Sequence, residues 1–182
     1  MRRRTVLAGA VIPLVLVLPG CGSDKPKPAP PETSSASPSA SPSVVAPTMP
    51  AEAKGTGPEA AKAFARHFIA LLNYSEVTGD LDLLRQSFDP DCDGCSGIVD
   101  GLDKVYRNGG SVKTDGWEVK GLKTTPTPRG FRVDAMVDVA PQIVILERGA
   151  KAKRFPGDRS ALRRLFLRHG SSAWVVSNMD EG

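Results

Sequence analysis

The hydrophobic period of this chain changes once, and that change restricts the fold more than any other feature. In "GPEAAKAFARHFIALLNYSEVTG", Ala61, Phe64, Ala65, Phe68, Leu71 and Leu72 recur at helical spacing, with Pro58 in the first turn and Glu59 near its positive end. "TGDLDLLRQSF" predicts a short second helix capped by Thr78 or Asp80. "SGIVDGLDKVYRNGG" predicts a third, with Ile98, Val99, Leu102, Val105 and Tyr106 on one stripe and Gly109 as its stop. Beyond residue 110 the period falls to two. "GWEVKGLKTT", "GFRVDAMVDVA", "QIVILERGAKAKRF", "SALRRLFLRHG" and "AWVVSNM" are rich in β-branched and aromatic residues, and Phe131, Val133, Ala135, Val137 and Val139 share one face. Helices followed by an antiparallel meander predict an α+β domain, three N-terminal helices packed on a sheet of four to five strands.

That domain is expected over residues 57–182, large enough for its own core. The chain before it divides in two. "MRRR", an apolar run from Val6 to Leu18 and "LPGC" have the form of an export signal over residues 1–20. The run is too short for a membrane span, about 20 Å against a hydrocarbon core of about 30 Å, and Pro13 and Pro19 interrupt it. Leu18-Pro19-Gly20-Cys21 resembles the bacterial lipobox. The resemblance implies cleavage after Gly20, lipidation of Cys21 and anchoring to the outer face of the cytoplasmic membrane. "RRTVL" also resembles a twin-arginine export signal, without the Ser or Thr before the pair. Residues 21–56 are expected to be a disordered Pro/Ser/Ala tether, holding eight of the 16 prolines.

Charge excludes little once the signal is removed. Three of the 24 Lys and Arg residues leave with it while all 20 Asp and Glu remain, so a net charge of +4 falls to +1. Nucleic acid is therefore not implied as a partner. Placement is more informative than the total. Residues 76–103 hold eight acids and one base, whereas residues 148–168 hold eight bases and one acid. The basic segment, including Arg163 and Arg168, is suited to steering an anionic partner such as a cell-wall polymer, a lipid headgroup or a protein.

The order of elements resembles the cone-shaped fold of nuclear transport factor two and its relatives, which implies a curved sheet around a long helix. The lipobox, the Pro/Ser tether, "NYSEVTGDLDLLRQSFDPDCDGC" and "YRNGG" together resemble an uncharacterised family of actinobacterial lipoproteins assigned to that superfamily. The resemblance brings no catalytic residues.

"FDPDCDGCSG" is the most distinctive stretch inside the domain. Setting Cys21 aside leaves Cys92 and Cys95, an even pair in an oxidising compartment. Zinc needs two more ligands, and His67 and His169 lie far apart in different elements. A thioredoxin-like role expects the pair at a helix start with an aromatic or proline between the cysteines, where this chain has Asp93 and Gly94. A short disulfide is the expectation. Asp89, Asp91, Asp93 and Asp100 fit positions 1, 3, 5 and 12 of an EF-hand-like calcium loop, with Ser96 against the pattern at position 8. The competing reading is that these aspartates cap the third helix.

No nucleotide loop or Ser-His-Asp spacing is present in the sequence. No cofactor is expected. Candidate binding residues are His67, Tyr74, Tyr106 and Trp117, with Arg163 and Arg168 on the basic segment. Two function classes remain. The first is a non-enzymatic, membrane-anchored envelope module that binds a protein or small ligand. The second is a cavity enzyme of the ketosteroid-isomerase type with Asp134 or Asp138 as base. Alternation places both aspartates on the face opposite Phe131 and Val133, which favours the first.

Overall fold

A computed structural model of the protein describes residues 44–182. The expected export signal, Cys21 and most of the expected tether lie outside the described residues.

Helix α1 spans Pro58–Thr78, with Gly57 extended before it and Pro58 in its first turn. It ends at Gly79, whose φ of 75° is left-handed and whose N–H donates to the Ser75 carbonyl at 3.0 Å. A Cβ on Gly79 would lie 2.5 Å from the Tyr106 ring, so glycine is required there both by φ and by space. Phe64, Ala65, Phe68, Leu71 and Leu72 form the buried stripe. Helix α2 is Asp82–Gln86, and Asp80 Oδ1 accepts from the Asp82 N–H at its start. Helix α3, Asp93–Arg107, begins three residues earlier than "SGIVDGLDKVYRNGG" suggests, because Cys92 occupies the N-cap and its sulfur accepts from the Cys95 N–H at 3.3 Å.

Seven strands follow: β1 Ser111–Lys113, β2 Trp117–Thr127, β3 Gly130–Val139, β4 Gln142–Ile145, β5 Lys153–Phe155, β6 Asp158–His169 and β7 Trp174–Glu181. They form two antiparallel sheets, β2-β3-β6-β7 and β1-β4-β5, in place of the single sheet of four to five strands expected. The division has a local cause. Ala140 donates its N–H to the Gly116 carbonyl and Pro141 has no N–H, so the β3 ladder stops and the chain leaves the large sheet. The run "QIVILERGAKAKRF" then reverses at Gly149, φ 81°, and pairs with itself as β4 and β5.

Val133, Ala135 and Val137 of β3 face the helices as alternation predicted, with Ile69 of α1 packed against the last two. A separate small cluster, Val105, Val112 and Val144, joins α3 to the second sheet.

Residues 44–56, expected to end the tether, pack on the domain. Ala51–Lys54 make one 3₁₀ turn, Ala53 is in the core, and Trp174 Nε1 donates to the Gly55 carbonyl at 2.8 Å. The partner stands 119 positions away, so the local Pro- and Ala-rich composition carries no trace of it. Among the described residues no helix is long and apolar enough to cross a membrane.

Candidate functional site

Helix α1 carries an acid on its buried stripe. Phe68, Leu72 and Glu76 follow one another at i, i+4, so Glu76 comes to rest inside, 5 % exposed, where α1 meets both sheets. Its Oε1 accepts from Gln142 Nε2 of β4 at 3.0 Å. The Trp117 indole of β2 is the other donor beside the carboxyl, yet neither Glu76 Oε2 nor Trp117 Nε1 completes a hydrogen bond of good geometry. Burial pushes the carboxyl up to about 7, and the Gln142 and Trp117 donors only partly offset it. Glu76 therefore holds and releases a proton near neutrality, with its carboxyl directed at two N–H donors from two different sheets.

The surrounding side chains are fixed. Asn73 grips the Trp117 backbone at both ends, donating from Nδ2 to the carbonyl at 3.0 Å and accepting at Oδ1 from the N–H at 2.8 Å. The Arg163 guanidinium lies over the Trp117 ring, 5.3 Å from its centroid, and 3.5 Å from Glu181. The Tyr106 hydroxyl donates to the Glu76 backbone carbonyl at 2.7 Å, and burial raises its proton affinity. Gln142 also lines an open groove of about 980 Å³ between Val77 of α1 and the second sheet. Its walls include Val112, Lys113, Asp115, Ile143, Arg154 and Phe155. Gln142 thus stands with one side to the groove and its amide on the buried carboxyl.

Three of the six expected binding residues, Tyr106, Trp117 and Arg163, gather here, and the other three do not. Tyr74 donates to Asp80 Oδ2 at 2.9 Å and closes the end of α1. His67 lies on the opposite part of α1, beside Phe64, where burial lowers its proton affinity and it borders the depressions on either side of residues 47–50. Arg168 is committed to Asp89 through two hydrogen bonds, one from Nε at 2.7 Å. Arg163 is largely covered beside Trp117, whereas Arg168 stays partly exposed while paired with Asp89.

The calcium reading fails on backbone geometry. Asp93 opens α3, so residues 93–100 are helical where an EF-hand loop needs turns, and Asp89 is taken by Arg168. Among the described residues no group of three or more His, Cys, Asp or Glu side chains is placed to hold a metal. Cys92 and Cys95 stand at disulfide distance, S–S 2.05 Å, and are fully buried. The pair sits at the start of α3, as a thioredoxin-like role expects, but Asp93 and Gly94 stand between the cysteines and both sulfurs are buried. Asp134 and Asp138 lie on the face of the large sheet away from α1. Asp134 accepts from Arg132 Nη2 at 3.1 Å and meets Arg132 Nε off-axis at 3.0 Å, and Asp138 accepts from the Ser160 N–H at 2.9 Å. Sequence reasoning missed Glu76, Gln142 and Asn73. Only Glu76 left a signal, as an acid in register with the apolar stripe.

Comparison with known proteins gives a fold and a family. No curated protein matches the chain. Among solved structures, the intermembrane space region of chloroplast protein ARC6 is similar at a TM-score of 0.52 and 9 % identity, covering 70 % of this chain and 97 % of that one. The Rd1NTF2_05 variant chain is similar at 0.36 and 17 % identity, covering 67 % and 99 %. A domain of unknown function with a cystatin-like fold from Nostoc punctiforme is similar at 0.36 and 14 % identity, covering 67 % and 74 %. A family model described as a family of unknown function (DUF6318) matches residues 26–180.

Proposed function

The chain belongs to the DUF6318 family of unknown function, and from that premise we propose that it is a lipid-anchored cell-envelope protein whose domain is a non-enzymatic binding module. The anchor is Cys21, lipidated after cleavage behind Gly20, with the Pro- and Ser-rich segment as the tether to residue 43. The observation that carries the binding reading is the groove beside the second sheet. It combines apolar walls with a few fixed polar groups, the composition of a ligand site, and its Gln142 is braced from behind by Glu76. A protein segment or a small ligand fits that description.

Two measurements test the two halves separately. A photo-crosslinking side chain at Ile143, inside the groove, should give adducts in cells that one at Arg129, on the β2–β3 turn, does not; equal labelling would remove the groove from consideration. Mass measurement of the mature N-terminal peptide should find acyl groups on Cys21, and an unmodified Cys21 would end the anchor reading.

The cavity-enzyme reading keeps one supporting feature, a buried carboxyl pushed up to about 7. That carboxyl is Glu76 and not Asp134 or Asp138. Gln142 and Trp117 stand beside it, so a substrate would have to displace one of them to reach it.

A further inference from the structure

The turn joining β4 to β5 presents a surface with its own chemistry. Residues 146–156, "LERGAKAKRFP", hold four bases, Arg148, Lys151, Lys153 and Arg154, against one acid, Glu147. All four bases are exposed, and among the described residues none has an ion-pair partner. Leu146 and Phe155 bracket them in sequence and are 40 % and 47 % exposed; on β5, Phe155 shares a face with Lys153 while Arg154 points the other way. The hairpin is held in place, since the Arg148 N–H donates to the Asn108 carbonyl at 3.0 Å and Val144 pairs with Lys153.

A solvated edge strand explains the lysines, which guard such edges, but not an open phenylalanine next to them. Strand addition is a poor fit, because β5 has three residues and Pro156 follows it. Bases interleaved with open apolar side chains match an anionic lipid surface, where cationic heads meet phosphates and apolar groups enter the boundary with the acyl chains. We propose that the 146–156 hairpin docks the domain onto an anionic bilayer. The docking is independent of any N-terminal lipid and goes beyond the binding reading above. Arg154 and Phe155 also form part of the groove wall, so docking brings the groove mouth to the headgroups.

The full chain is labelled with bimane at Phe155→Cys, or for reference at Arg129→Cys, and mixed with vesicles carrying a nitroxide lipid. One set is phosphatidylcholine alone and the other contains an equal part of phosphatidylglycerol. Position 155 should be quenched on the anionic vesicles and released by high salt, while position 129 stays bright. The triple change Lys151→Glu, Lys153→Glu, Arg154→Glu should weaken the anionic-lipid-dependent quenching by about tenfold or more. These side chains are exposed, and an unchanged near-ultraviolet circular dichroism spectrum verifies the fold. Quenching that ignores phosphatidylglycerol, or is equal at the two positions, overturns the proposal. So does a label at 155 that stays bright on lipid but responds to an added acidic peptide. Failure of the anchor is distinct: the chain then leaves phosphatidylcholine vesicles whatever the hairpin sequence, and the response to anionic lipid persists.

Discussion

Gln142 Nε2 and Glu76 Oε1 meet at 3.0 Å across 66 residues of sequence, and this contact ties the second sheet to the end of α1. The carboxyl it holds titrates at about 7, above its ordinary value of 4.5. The folded state therefore keeps a proton that the unfolded chain releases between these values. Glu76 contributes stability that is full below pH 4.5 and is lost as pH rises to about 7. The loss is about 3 kcal/mol, an order of magnitude set by 1.36 kcal/mol per pH unit. Glu76→Gln should remove this decline, making the variant the more stable protein at pH 8 and leaving the two alike near pH 4. Denaturant melts at both pH values read it, and parallel pH profiles would refute a buried titrating Glu76.

Gly79 should tolerate no side chain. Alanine there is strained at φ 75° and meets the Tyr106 ring, so Gly79→Ala should cost about 2 kcal/mol. Gly79→Asn, which tolerates left-handed backbone, should be no better because the ring contact remains. A fully restored melting temperature in the asparagine variant would show that the ring yields.

Trp174→Phe should loosen residues 44–55 while leaving the core packed. It removes the donor to the Gly55 carbonyl and keeps an aromatic body beside Phe131. The expected loss is about 1 kcal/mol. Its signature is faster cleavage after Lys54 by trypsin, with hydrogen exchange in α1 unchanged. Equal cleavage rates would mean that Ala53 alone holds the segment.

Replacing Cys92 and Cys95 together by serine should lower stability by less than the roughly 3 kcal/mol of a 15-residue loop, because the bridge closes so few residues. The fold should survive. Alkylation of the native protein should leave both sulfurs unlabelled until reductant and denaturant are added, since both are buried. Full native labelling would exclude the bridge.

Legibility in the sequence followed the range of the interactions. Helix α1 and the inward face of β3 were readable because their signals, the i, i+4 stripe and the alternation of Val133, Ala135 and Val137, are local. The second sheet was not, because β1, β4 and β5 are three or four residues long and exist only through their pairing. The packed segment before α1 was hidden for the same reason, its main fixing point being Trp174. In the site, Tyr106 and Trp117 were found as amphipathic aromatics, whereas Asn73 and Gln142 matter only through partners 44 and 66 positions away.

The grip of Asn73 on Trp117 bears on how the large sheet finds its alignment during folding. The Asn73 carboxamide presents one of its N–H donors and its carbonyl oxygen side by side, the pair a peptide unit presents, so the helix supplies a single rung to the first residue of β2. α1 is built from local contacts, which close at lower entropic cost than pairings between strands distant in sequence. A rung on such a helix is in place for β2 to dock against. A slip of one residue would set Glu118 in place of Trp117 and send Val119 to the outer face. One asparagine on a helix thus counts the strand off from its first residue, and β3 inherits that count through the pairing of Trp117 with Val139.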